Sequence, residues 1–265
     1  MLRFGTLELV RGDWRAYTKE LAEKNDAGAT ISVSTVNIEE NGDKTPVNYI
    51  MPPGVNRITD PGQTQMVLQN EQSLALTINN LSPFDARAIY KTTNLDTRQY
   101  RRMQMFVHAN LPEDQLSGLQ DNNLYVFLRL GSDYKNNYYE YEIPLRLTAP
   151  GNYSSNSNSD REIVWPNMFD FPFEVLTKLK LSRNQKKRQA GSTVSYTKPY
   201  SEYDPQQPNN KITVQGNPTL SEVKVIMIGV RNESGIQAAS AEVWVDKKFF
   251  ENGLPMDGDS SKVEE

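Results

Sequence analysis

The sequence predicts an all-β fold, an antiparallel jelly-roll-like β-sandwich with one or two short helices and long loops. Its 265 residues include 13 Tyr, and short runs of Val, Ile and Thr recur along the chain, which favours strands. Segments of this kind follow one another at the spacing expected of a sandwich. The clearest lie at 218–250, where an apolar strand, a polar turn and a second strand beginning at Val243 close the chain as in many galactose-binding and other carbohydrate modules.

The elements follow from periodicity and turn residues. Alternating or β-branched runs predict strands at 4–10, 31–38, 72–81, 86–90, 100–109, 123–130, 138–147, 211–214, 223–230 and from 243 onward. Apolar residues three and four apart predict a short helix within 14–24 and indicate helical spacing over 173–182. Pro, Gly and small polar residues predict long loops at 46–66, 148–162 and 183–210.

Strands resume after every loop, so residues 1–250 are expected to form one β-sandwich domain. The last segment, 251–265, shows no periodicity and is expected to be disordered or of artificial origin. A strand at 223–230 whose two faces are both apolar is expected to be buried on both sides.

Composition excludes several classes of function. The chain has no Cys, which removes disulfides, thiolate nucleophiles and Cys-ligated metals, and its net charge of −4 does not favour nucleic acid as a partner. No apolar run approaches the length of about 18 residues that a transmembrane helix needs. The one histidine, His108, lies in an apolar strand, where a structural role is favoured over a catalytic triad or a zinc site.

Two glutamates on one predicted strand could carry acid–base chemistry. Glu140 and Glu142 share one face of a predicted strand, and a carboxylate pair is the machinery of glycoside hydrolysis. A hydrogen-bonded strand face is the favoured interpretation, because nothing in the sequence marks either carboxylate as an acid with a raised pKa. No catalytic residue is therefore assigned, and the chain is expected not to be an enzyme.

Binding is the better candidate for a site in this chain. Four aromatic residues beside Asn side chains would suit a sugar-stacking platform, with a Tyr-rich sheet edge as the alternative: Tyr134, Tyr138, Tyr139 and Tyr141. No cofactor is expected, although three carboxylates are candidates for a structural Ca²⁺ site: Asp133, Asp170 and Asp246. The basic cluster at 186–188 is expected to be a solvated loop, with an interaction site as the alternative.

Five long strings resemble one known family. They are YIMPPGVNR at 49–57, LQNEQSL at 68–74, LDTRQYRRMQMFVHA at 95–109, FLRLGSDYKNNYYEYEIPL at 127–145 and GNPTLSEVK at 216–224. Together they resemble the SprA/Sov family, the outer-membrane translocon of the type IX secretion system, which also serves gliding motility.

This resemblance implies a domain inserted in a much larger barrel protein through which folded cargo leaves the cell. The domain would be non-catalytic and exposed at the cell surface or on the periplasmic side, where it would cap or line the pore. Its expected partners are other type IX secretion components, secreted cargo and the barrel portion of the same protein. The family supplies no catalytic residues. The alternative function is a carbohydrate-binding module that uses the Tyr-rich face.

Overall fold

The fold was analysed in a computed structural model, which describes residues 14–18, 21, 28–57, 71–112, 118–235 and 238–246. Twelve strands in this part of the chain form two antiparallel sheets, so the predicted all-β sandwich is confirmed. The seven-stranded sheet has the order β1-β4-β11-β6-β7-β10-β9, and the five-stranded sheet has the order β2-β3-β12-β5-β8.

The strands are β1 (Arg15–Tyr17), β2 (Thr30–Asn37), β3 (Gln72–Leu81), β4 (Ala86–Leu95), β5 (Arg102–Asn110), β6 (Leu124–Gly131), β7 (Tyr138–Pro144), β8 (Asn167–Pro172), β9 (Tyr200–Tyr203), β10 (Lys211–Gln215), β11 (Val223–Asn232) and β12 (Ala239–Asp246). The helices are α1 (Ile38–Asn41), α2 (Asn158–Val164) and α3 (Glu174–Lys187), with a 3-10 turn at Thr97–Gln99. None of these helices is long and apolar enough to span a bilayer.

Eight strands give the sandwich its jelly-roll topology. One sheet contains β3-β12-β5-β8 and the other contains β4-β11-β6-β7, so the chain passes repeatedly from one sheet to the other. The remaining strands extend this core: β2 and β1 lie at two of its edges, and the β9–β10 pair lies beside β7.

Period-two alternation explains how these strands build the core. In β7, Tyr139, Tyr141 and Ile143 point into the space between the sheets, where they pack with side chains of β5, β8 and β11. The central strand β11 is buried on both faces apart from Lys224 and Arg231, as its two apolar faces predict. A second layer of side chains covers the outer face of the five-stranded sheet.

Several predicted boundaries are corrected by tertiary contacts. The helix expected within 14–24 is wrong at residues 15–17, which form β1 because they pair with β4, and most of its remainder lies outside the described residues. The long loops contain structure that the sequence did not predict. Helix α2 begins inside the predicted loop 148–162 and strand β8 follows it, while the end of α3 and β9 lie inside 183–210.

The strand predicted at 4–10 and the segment 251–265 lie outside the described residues.

Candidate functional site

The outer face of the seven-stranded sheet carries a buried network of ions. Glu140 and Glu142 on β7 point away from the core and are only 3% and 1% exposed. Glu140 Oε2 accepts hydrogen bonds from Arg129 Nε at 2.9 Å and Nη2 at 2.5 Å, and its Oε1 lies 3.2 Å from Arg231 Nη2. Glu142 contacts Arg231 and lies 2.6 Å from Lys211 Nζ. Two acids are thus held by three cations.

Strand pairing brings these charges together. Arg129 on β6 is in register with Glu140 on β7, and Lys211 on β10 is in register with Glu142. Arg231 arrives from β11, on the far side of β6 from β7. The network therefore ties four neighbouring strands together across one face of the sheet.

Electrostatics keeps Glu140 ionised. Burial alone would raise the pKa of Glu140, but Arg129 and Arg231 outweigh burial and hold that pKa at about 2. A glycosidase needs one carboxyl group that stays protonated near neutral pH, so Glu140 lacks the property of a general acid. Both positions suit the favoured interpretation of a bonded strand face.

Aromatic rings pack over the same cations. The guanidinium carbon of Arg129 lies 3.8 Å from the ring centroid of Tyr138, and that of Arg231 lies 5.0 Å from the centroid of Phe127. The Tyr134 carbonyl accepts from Arg129 Nη1 at 2.6 Å, which ties the β6–β7 turn to the network.

The structure distributes the four candidate tyrosines over two faces. Tyr139 and Tyr141 lie in the sandwich core at 2% and 1% exposure, and Tyr138 is buried beneath Arg129 on the opposite face. Only Tyr134 is partly exposed, where it packs against Tyr90 with ring centroids 4.6 Å apart. The four rings therefore do not form one surface, and sugar binding stays a prediction that depends on Tyr134.

The three Ca²⁺ candidates do not converge. Asp133 accepts hydrogen bonds from backbone N–H groups of the β6–β7 turn, which belongs to the seven-stranded sheet. Asp170 on β8 and Asp246 on β12 belong to the five-stranded sheet, where β5 lies between their strands. Asp170 also pairs with Arg102. Within the described ranges, no group of three or more His, Asp or Glu side chains could hold a metal ion.

An aromatic cluster surrounds the single histidine. His108 is fully buried, and its ring stacks on Trp244 with centroids 3.9 Å apart. Its Nδ1 donates to the Val164 carbonyl at 2.6 Å, and burial lowers its pKa to about 4 although this bond opposes the shift. The expected structural role fits these contacts, because the ring joins β5 to the end of α2.

An open groove lies at one end of the sandwich. Its volume is about 530 Å³, and three arginines contribute to its lining: Arg98, Arg101 and Arg102. Glu174 is the single carboxylate among the described residues that line it. A pair of acids for glycoside hydrolysis is therefore missing from the described lining of this groove.

Helix α3 and strand β9 present a basic and aromatic surface, which we call the α3–β9 surface. It consists of Leu181, Lys186, Lys187, Arg188 and Tyr196, and β9 contributes Glu202, which pairs with Lys186. Leu181 and Tyr196 are 60% and 44% exposed, which is unusual for large apolar side chains, whereas Tyr203, which is 66% exposed, lies on the opposite face of β9. The segment 174–198 contains seven Lys and Arg against one Glu, although the whole chain carries a net charge of −4.

Packing makes this surface rigid. Arg183, fully buried on the inner side of α3, donates to the Gly216 carbonyl at 2.6 Å. Tyr196 packs against Lys187, whose Nζ lies 4.3 Å from the ring centroid, and the Gly216 N–H donates to the Tyr196 carbonyl. The basic cluster at 186–188, predicted to lie in a loop, therefore spans the end of α3.

Sequence reasoning identified the two glutamates but not the three cations that hold them. A signal was present, because Arg129 and Arg231 interrupt strands that are otherwise apolar, and a charge in such a strand needs a partner. The sequence does not show which acid that partner is, since the pairing of β6 and β11 is decided in three dimensions.

Comparison with known proteins identifies the family. A family model described as motility related/secretion protein, SprA N-terminal, matches residues 1–262. A search of curated proteins gives no match. Because the family model spans almost the whole chain, the resemblance noted in its long strings is confirmed, and the chain belongs to the SprA/Sov family of motility and secretion proteins.

Proposed function

We propose that this jelly-roll is a non-catalytic domain of the outer-membrane translocon of the type IX secretion system. It contributes to protein export and gliding motility by capping or lining the pore. Membership of a motility and secretion family over residues 1–262 is the observation that carries the proposal. The domain is exposed at the cell surface or on the periplasmic side.

A scaffold role is supported by the state of the candidate acids. Arg129 and Arg231 hold the pKa of Glu140 at about 2 although burial opposes them, and Glu142 is bonded to Arg231 and Lys211. These contacts tie neighbouring strands together, and the low pKa of Glu140 leaves it without a proton to donate near neutral pH. The seven-stranded sheet therefore supports a surface and does not form a reaction centre.

The α3–β9 surface is the proposed contact site. Its exposed apolar side chains, Leu181 and Tyr196, and its excess of positive charge suit a partner that presents acidic side chains around an apolar patch. That partner is another type IX secretion component, a cargo protein or the barrel portion of the same protein. The segments 46–57 and 148–166 are less suited to this role, because they pack against each other through Asn48 and Tyr153.

The experiment is an export assay in cells that carry the complete protein. Replacing Lys186, Lys187 and Arg188 with Ser removes charge from the α3–β9 surface and breaks the Lys186–Glu202 pair, but it removes no side chain of the core. We expect less cargo in the medium and slower colony spreading, at unchanged abundance of the translocon on immunoblots.

A matched control replaces three exposed cations elsewhere, Arg15, Lys135 and Lys224, with Ser. This triple variant loses the same charge and should export normally. Equal export by the two triple variants would contradict the proposed contact site, because charge lost from the α3–β9 surface would then matter no more than charge lost elsewhere.

A further inference from the structure

Sheet edges are places where backbone N–H and C=O groups lack a neighbouring strand. The described part of the chain has four such edges, β1 and β9 in the seven-stranded sheet and β2 and β8 in the five-stranded sheet. Natural sandwiches protect their edges with short strands, charged residues, proline, bulges or covering side chains, because an open edge pairs with other chains.

Three of the four edges are protected. Strand β1 has only three residues, and β9 has four, with Glu202 bonded to Lys186. Strand β8 ends in Pro172 and carries Asp170, whose carbonyl accepts from Gln207 Nε2 at 2.8 Å. These edges offer little continuous backbone to a second strand.

Among the described residues, no strand lies beside β2 on its outer side, although β1 of the other sheet approaches it. Its residues 30–35 read Thr-Ile-Ser-Val-Ser-Thr, with no charge, proline or glycine. Its pairing with β3 continues without a bulge from Thr30 opposite Asn79 to Asn37 opposite Gln72. An edge of this length and regularity is the kind that accepts another strand.

The hydrogen bond at the end of β2 shows which groups face outward. The Asn37 N–H donates to Asn41 Oδ1 at 3.0 Å, away from β3. Because backbone direction alternates along a strand, the N–H and C=O groups of Ile31, Val33 and Thr35 face the same open side. These residues present three donors and three acceptors along the edge.

The strand registers across the sheet give the same assignment. The Ala109 carbonyl accepts from the Thr148 N–H at 2.8 Å, so Ala109 faces away from β12. Val243 on β12 lies opposite Ala109, so its backbone N–H and C=O groups point the other way and bond to Leu76 on β3. The backbone groups of Leu76 therefore point toward β12 and away from β2. Val33, which lies opposite Leu76, must then point to the open edge.

Side-chain burial defines the chemistry of a strand that fits there. Ile31 and Val33 are half-buried against the core, whereas Thr30, Ser32 and Ser34 are exposed. An added strand would continue both faces if it alternated β-branched apolar residues with small hydroxyl residues. Helix α1, which follows β2 directly, has Glu39 and Glu40 in its first turn. Glu39 pairs with Arg57, and Glu40 accepts a hydrogen bond from Asn37, so Glu40 is the acid that a cation at the amino end of an antiparallel partner would meet.

We propose that residues 30–35 of β2 form a docking site for an extended strand of another polypeptide. The strand adds antiparallel to the five-stranded sheet, is uncharged and β-branched at alternate positions, and carries Lys or Arg at its amino end. Backbone hydrogen bonds supply the affinity, and the alternation selects the register. This site is separate from the α3–β9 surface, which is built on the other sheet.

Hydrogen exchange on the unaltered 265-residue chain tests the proposal directly. The amides of Ile31, Val33 and Thr35 should exchange rapidly, while those of Ser32 and Ser34, which bond to β3, should be protected. A synthetic peptide Lys-Val-Thr-Val-Ser-Val-Thr should slow exchange at the three outward amides by at least about tenfold at saturation.

The matched control is the same peptide with N-methyl groups on its three valines, which removes the donors that face β2. It should bind at least about tenfold more weakly. Thr35→Pro removes one outward N–H donor of the edge and should weaken binding of the unmodified peptide to a similar extent. The hydrogen-exchange test uses the unaltered chain, so it does not depend on whether this variant folds.

Three results would overturn the proposal. The outward amides could be protected already in the free chain, or the methylated peptide could protect them as well as the unmodified one. Protection that rises with protein concentration without peptide would assign the edge to a second copy of this chain. Because none of these measurements involves export, they are independent of the test of the α3–β9 surface.

Discussion

Replacing Glu140 with Gln keeps the shape of the side chain and removes its charge from the buried ion network. The pKa of Glu140 falls from its ordinary value of 4.5 to about 2 because Arg129 and Arg231 outweigh the opposing effect of burial. At about 1.4 kcal/mol for each pKa unit, this corresponds to about 3 kcal/mol of stability at pH 7. Breaking a buried ion pair commonly costs about 3–5 kcal/mol, which agrees.

The pH dependence has a definite sign. A carboxylate whose pKa is lowered by folding stabilises the native state fully above about pH 4.5. This contribution is lost as the pH falls through 4.5 toward about 2, where the folded state also becomes protonated. The difference in free energy of unfolding between the parent chain and Glu140→Gln should therefore shrink steadily below pH 4.5.

Urea unfolding at pH 7 and pH 3 measures this difference. At pH 7 the variant should lose about 3 kcal/mol, or about 6–12 °C of melting temperature for a domain of this size. The control is Glu174→Gln, which removes an exposed pair with Lys178 and should cost less than about 0.5 kcal/mol. A loss below about 1 kcal/mol at pH 7, or one that is equal at both pH values, would refute the reasoning.

Three further predictions follow from other contacts. Burial lowers the pKa of His108 to about 4, so the free energy of unfolding should fall by about 3 kcal/mol as the pH falls from 6.5 toward 4. In urea unfolding, His108→Gln should remove this part of the pH dependence. Trp165→Phe should destabilise the chain about 1–3 kcal/mol more than Trp244→Phe in the same assay, because Trp165 Nε1 donates to the Ile50 carbonyl at 2.8 Å whereas Trp244 Nε1 finds no acceptor among the described residues. If the chain binds glycans, Tyr134→Ala should abolish signals on a glycan array measured below the melting temperature of the variant, which the lost packing against Tyr90 should lower; binding that survives this change would remove Tyr134 from the site.

Local periodicity identified most of the β structure. Strands such as β3 and β11 carry runs of β-branched and apolar residues long enough to be recognised alone, and β3 was predicted with its observed bounds, Gln72–Leu81. Strand β1 was not predicted because three residues are too few to show alternation, and the three-residue spacing of Trp14 and Tyr17 also suits a helix. Its pairing with β4 decided its conformation.

The candidate site shows the same division. The spacing of Glu140 and Glu142 determines that both carboxylates share one face of a strand, because side chains alternate with a period of two. Whether that face holds a pair of free acids or two neutralised ions depends on Arg231, which lies about 90 residues farther along the chain.

The sequence by itself determined the all-β class, the faces of the long strands and, through its long characteristic strings, the family. The tertiary structure decided which strands are neighbours, which charges meet and which edge stays open. Periodicity is a property of a few consecutive residues, whereas neighbours in a jelly roll are joined by long connections, as β6 and β11 are here. Their pairing reflects the packing of the whole core, which no local segment encodes.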